Sequence, residues 1–161
     1  MTSNVPRATL AIVFVATAFL GFVPTIQAQN TCSMATVAGD WAATLTGTIL
    51  FPSPTGPVPA AAVLRYNLDR AGIVSGTEAR NVGGMFVNET LQGRATVNAN
   101  CTGTATVNIF QRGVLVRTAV LAVVYDELST QVRMVQKSLT FPNGTKVPVV
   151  VTVEGKKLSG D

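Results

Sequence analysis

From Gly39 onward the chain alternates apolar and polar residues for most of its length. A period of two marks a strand with one buried face. In "GDWAATLTGTILF" the residues Trp41, Ala43, Leu45, Gly47, Ile49 and Phe51 share one face, and Thr44, Thr46 and Thr48 the other. β-branched threonine suits an exposed pleated surface. No stretch after residue 30 carries a sustained helical stripe.

The same reading runs on to the C-terminus. "FPSPTGPVP" holds four prolines, which remove ladder donors, so it is expected as an exposed loop or rim. "AAVLRYNLD" sets Ala62, Leu64, Tyr66 and Leu68 against Arg65, Asn67 and Asp69. "DRAG" is a tight turn with Gly72 free to take positive φ, and "IVSGTEARNV" resumes as a strand. After "NVGG", Leu91, Gly93, Ala95 and Val97 align in one strand; after "NCTG", Gly103, Ala105, Val107 and Ile109 align in the next. "VLVRTAVLAVVYD" is apolar on both faces, "ELST" separates it from "QVRMVQKSLTF", and "PNG" turns into "KVPVVVTVEG".

That is about eight strands joined by short turns, an all-β chain with nearest-neighbour antiparallel pairing. An up-and-down meander of eight strands with one apolar face can close into a β-barrel and so lose its edges. A two-sheet β-sandwich is the alternative, but sandwiches need longer crossings than most of these turns allow.

The N-terminus changes the picture of where the barrel goes. Residues 1–28 have the form of a signal peptide: Arg7, an uncharged run from Ala8 to Val23, then Pro24 and a cleavage site after Ala28. The run is about 16 residues, short of the roughly 20 a spanning helix needs, so no stable membrane span is expected after cleavage. Residues 29–161 then form a single barrel domain, secreted, periplasmic or on the cell surface. In such a compartment the two cysteines, Cys32 and Cys101, are expected as one disulfide. The formal charge of +4 comes from scattered basic residues without aromatic platforms, so no nucleic-acid partner is expected.

Gly39-Asp40-Trp41 at the head of the first strand resembles the calycin group, the lipocalins and avidins. "DRAGIVSGTEAR" is similar to an avidin-like turn and strand. Gly72 to Thr77 and Asn98 to Thr104 are also similar to small secreted bacterial β-proteins of unknown function. The resemblance implies a structural role for Trp41 as a plug at one barrel end. It carries no ligand residues, since the lipocalin Thr-Asp-Tyr signature and the several tryptophans of a biotin site are missing.

Composition removes most catalytic chemistries. There is no histidine, which excludes Ser-His-Asp and Cys-His catalysis and imidazole metal sites. No metal or cofactor site and no catalytic residue is assigned. Asp126 and Glu127 are consecutive, so they belong to a turn rather than a facing pair. Glu78 shares a strand face with Val74, Gly76, Arg80 and Val82. If that face looks inward, Glu78 and Arg80 form a polar pair that could orient a ligand; if Ile73, Thr77 and Ala79 look inward, both charges are solvated. Arg117 and Tyr125 share a face with Leu115, Leu121 and Val123, adding a second inward charge.

These observations give three functional expectations. The first is a secreted non-catalytic barrel binding a small apolar ligand, with Gly93, Ala95, Gly103 and Ala105 leaving it room. The second is a structural or adhesive cell-surface protein. The third is a small-barrel isomerase resembling allene oxide cyclase, using Glu78 or a tyrosine. It requires a carboxylate with a perturbed pKa in an internal pocket.

Overall fold

The computed structural model describes residues 31–159. The expected signal peptide, residues 1–28, lies outside them. The described residues form a one-turn helix, α1 (Met34–Val37), and nine strands: β1 (Gly39–Leu50), β2 (Pro57–Leu68), β3 (Ile73–Val82), β4 (Met85–Val97), β5 (Thr102–Gln111), β6 (Val114–Tyr125), β7 (Gln131–Thr140), β8 (Lys146–Val147) and β9 (Val149–Lys157). The sheet runs β6-β5-β4-β3-β2-β1-β9-β7, and β6 pairs with β7 to close it. Every pairing is antiparallel. The eight-stranded meander is therefore a closed barrel, with β8 as a two-residue extra cut off from β9 by Pro148.

Two local expectations are revised. The proline-rich loop ends earlier than its composition suggests, because β2 already begins at Pro57. The N–H of Gly83 donates to the carbonyl of Pro59, so that side of the proline backbone faces β3. The first β2–β3 pair is Ala60 with Val82. The missing N–H groups of Pro57 and Pro59 thus point past the end of β3, where no ladder bond is lost. The second revision is α1, too short to leave a periodic signal. Ser33 caps it, accepting from the N–H of Thr36, while the Ser33 N–H donates to the Thr36 hydroxyl.

The meander alternates its turns between two ends. One end is closed. There α1 and the disulfide Cys32–Cys101 (Cα–Cα 4.8 Å) lie beside the β4–β5 turn, clamping the chain before β1 to the turn after the fourth strand. Trp41 is fully buried at this end, donates its ring N–H to the carbonyl of Val37 (3.1 Å), and packs on Tyr66 and Tyr125 with ring centroids 6.3 and 5.7 Å away. Burying a side chain of that size contributes on the order of 4–6 kcal/mol before ordering costs. The other end, with the β1–β2, β3–β4, β5–β6 and β7–β8 loops, has neither helix nor disulfide among the described residues and is called the open rim for that reason. Beneath it Ile49, Ala60, Leu139 and Val147 make a second, smaller apolar cluster.

Gly93 and Gly103 do not provide room. A methyl group on Gly93 would run into the carbonyl oxygen of Thr106, and one on Gly103 into that of Thr96. Both are places where the neighbouring backbone folds close over the strand, bending the sheet into a barrel. The space left inside owes more to Ala95 and Ala105, whose small side chains are buried on the inner face.

Candidate functional site

Four charged side chains meet on the inner side of the barrel, toward the open end. Glu78 on β3 and Glu89 on β4 stand directly opposite in the ladder. Two facing carboxylates repel unless something is placed between them. Arg117, on β6 and two strands removed from β4, supplies it. Its Nη1 and Nη2 donate to Glu89 Oε1 and Oε2 at 2.6 and 2.7 Å, a bidentate fork, and Nη2 also donates to Glu78 Oε1. Arg80 donates from Nε to Glu89 Oε2 at 2.8 Å. Glu78, Glu89 and Arg117 are buried, while Arg80 keeps 17% of its side chain exposed.

The two carboxyl groups do not share their proton evenly. Burial pushes Glu78 up to about 7, against the pull of the Arg117 charge, and a hydrogen bond with Glu89 favours its protonated form. Burial also works against charge on Glu89, but the hydrogen bonds from Arg117 and Arg80 and the one with Glu78 outweigh it and hold Glu89 at about 2. Glu89 is thus the permanent anion of the cluster, and Glu78 the group that titrates near neutrality.

Between this cluster and the Trp41 plug lies an internal cavity of about 90 Å³. Its wall is mostly aliphatic, with Leu64, Leu91, Leu121 and Met134 among the lining residues, and Glu78 and Arg117 also border it. The hydroxyl of Tyr66, another lining residue, is buried and has no hydrogen-bond partner. An unpaired buried hydroxyl costs about 1–3 kcal/mol, so it asks for an acceptor. Burial pushes the Tyr66 phenol well above its ordinary range, and the Tyr125 phenol up to about 12, so both stay protonated donors at any physiological pH.

Of the candidate residues, Glu78, Arg117 and Tyr125 line the cavity; Arg80 faces inward but bonds Glu89 nearer the mouth. The inward alternative for the Glu78 face is the one found, with Val74 and Glu78 buried while Ile73 is exposed. Arg117 keeps Leu121 and Val123 as same-face neighbours but not Leu115. The β5–β6 register shifts between Ile109 and Phe110, and Val116 packs on the core in its place. Asp126 is a turn residue as expected, its carboxylate accepting from the N–H groups of Thr130 and Gln131. Three further residues belong to the site. Glu89 has the same strand parity as Leu91, so its inward placement is legible in the sequence; Tyr66 shares the inward face of Ala62, Leu64 and Leu68. Gln136 has the parity of Val132 and Met134 and is buried just before the bulge that brings Leu139 inward as well.

No family model and no curated protein matches the chain. Among solved structures, a redesigned β-barrel, mFAP1, bound to DFHBI, matches with 17% identity and a TM-score of 0.46, covering 78% of this chain and 98% of its own. At that identity and score nothing about this chain rests on the likeness. Among the described residues no helix is long and apolar enough to cross a membrane, and no cluster of potential metal ligands occurs.

Proposed function

We propose that the protein is a secreted or periplasmic ligand-binding barrel, taking a small, mainly apolar molecule into its cavity. The observation that carries this is the partnerless Tyr66 hydroxyl in an otherwise aliphatic pocket. A ligand with one neutral acceptor, such as a carbonyl oxygen, would satisfy it. The pocket is smaller than the roughly 150 Å³ that holds benzene, so the ligand is compact or displaces Met134 or Leu64 on entry. The disulfide is in keeping with an oxidising compartment. Trp41 sealing the closed end is in keeping with the calycin-like resemblance of Gly39-Asp40-Trp41. Glu78, Arg117 and Tyr125 are assigned to the polar part of the wall, and Arg80 to its support from the mouth.

The test compares cyclopentanone with cyclopentane, matched in shape, by ligand-observed NMR and thermal shift. The wild type should prefer the ketone by roughly tenfold, one hydrogen bond's worth. Tyr66→Phe should keep the fold and abolish the preference. Absence of saturable binding for both molecules defeats the proposal.

A second reading follows from Glu78, a carboxyl group held near 7 at the cavity wall. It could move a proton between two carbons of a bound unsaturated ketone, the isomerase alternative. Conversion of 3-cyclopentenone to its conjugated isomer by the wild type but not by Glu78→Gln would favour it. Equal background rates would leave binding alone.

A further inference from the structure

The two ends of the barrel differ in surface chemistry. Five acidic side chains lie outside the interior among the described residues: Asp40, Asp69, Asp126, Glu127 and Glu154. All belong to the closed half: Asp40 begins β1, Asp69 follows β2, Asp126 and Glu127 follow β6, and Glu154 pairs with Thr44 and Arg133. The open end carries only Glu78 and Glu89, both turned inward and neutralised. Its exposed charges are basic: Arg112 in the β5–β6 turn and Lys146 after the β7 turn, with Lys137 on the adjoining wall.

The same end presents its largest apolar side chains at hairpin tips. Met85 and Phe86, at the start of β4, are 74% and 63% exposed, and Val114, at the start of β6, is 66% exposed. Leu50 ends β1 at the same end and is also exposed. Apolar residues are exposed elsewhere too; at the closed end Leu128 directly follows Asp126 and Glu127, Ile73 donates its N–H to the Asp69 carboxylate, and Leu158 follows β9. Only the open rim combines protruding apolar tips with basic charge and no solvent-facing acid.

We propose that the open rim docks on an anionic lipid surface, with Met85, Phe86 and Val114 entering the interface and Arg112 and Lys146 meeting the headgroups. Apolar tips reach below the headgroup plane while the basic side chains stay at its level, which suits residues spread over separate hairpins. The closed half mixes its five carboxylates with Arg65, Arg70, Arg94, Arg133, Lys156 and Lys157, so only the open rim would meet an anionic surface with cations and no exposed acid. The inference does not depend on the cavity holding a ligand.

The test uses the full chain with vesicles of phosphatidylglycerol mixed with phosphatidylcholine, and of phosphatidylcholine alone. Because the N-terminal apolar run, Ala8 to Val23, precedes the closed end, binding alone does not report which end docks. The readout is therefore position. A fluorophore placed by Val114→Cys at the rim, or by Leu128→Cys at the closed end, is challenged with nitroxide-labelled lipid. The rim label should be quenched and the closed-end label not. Quenching should fall roughly tenfold or more in the Met85→Asp/Phe86→Asp double variant and fall with added salt. Trp41 fluorescence checks that the variant keeps its fold. Quenching of the closed-end label alone, of both labels equally, or of neither overturns the proposal, as does an unchanged signal in a folded double variant.

Discussion

Glu78 and Glu89 pull the stability of the barrel in opposite directions with pH. In the unfolded chain both carboxyls titrate near 4.5. In the folded barrel Glu89 stays ionised down to about 2. Between pH 2 and 4.5 the unfolded chain therefore binds more protons, and stability rises with pH. Glu78 is the reverse. The folded barrel keeps its proton up to about 7, so between 4.5 and 7 the folded state binds more protons and stability falls as pH rises. Each displacement from the ordinary carboxyl range is worth about 3 kcal/mol. The expected profile is a maximum near pH 4.5 with a loss on either side. Urea denaturation across a pH series, followed by Trp41 fluorescence, measures it. Glu78→Gln keeps the shape, lets its carbonyl oxygen accept from Arg117, and cannot ionise. It should remove the decline above pH 4.5 and be more stable than the wild type at pH 8, by up to about 3 kcal/mol. A wild type whose stability climbs steadily from pH 4.5 to 7, with Glu78→Gln weaker at pH 8, would show that the Arg117 pairing outweighs burial and that the reasoning is wrong.

Two further outcomes follow from the frame of the barrel. Replacing Cys32 and Cys101 together by alanine opens a loop with a sequence separation of 69. Chain entropy sets the cost at up to about 4 kcal/mol, read from denaturation midpoints. Gly93→Ala forces a methyl group against the Thr106 carbonyl, part of the neighbouring backbone rather than a flexible side chain. It should cost about 1–3 kcal/mol by the same measurement, whereas Ala95→Gly, which removes a methyl group, should leave β4 and β5 in register.

The alternation of apolar and polar residues determined most of the architecture. Trp41 to Phe51, Ala62 to Leu68 and Leu91 to Val97 each had only one set of side chains fit to bury, so strand faces and nearest-neighbour pairing followed from local chemistry. Two cysteines and a single pairing made the disulfide legible as well. Alternation stops being informative where a strand bulges. It set Leu115 beside Arg117 and put Leu139 on the face opposite Gln136, since one extra residue reverses every face beyond it. It was also silent on partners. Glu89 carried the parity of Leu91, yet a carboxylate on an apolar face looks improbable until its counter-ions are known. Those counter-ions are Arg117, 28 residues along the chain, and Arg80, across the hairpin. Closure of the sheet brings the inner faces of β3, β4 and β6 around one space, and only there do four charges become a neutralised cluster above an apolar cavity. The sequence specified which residues could face inward; the closed barrel decided which of them meet.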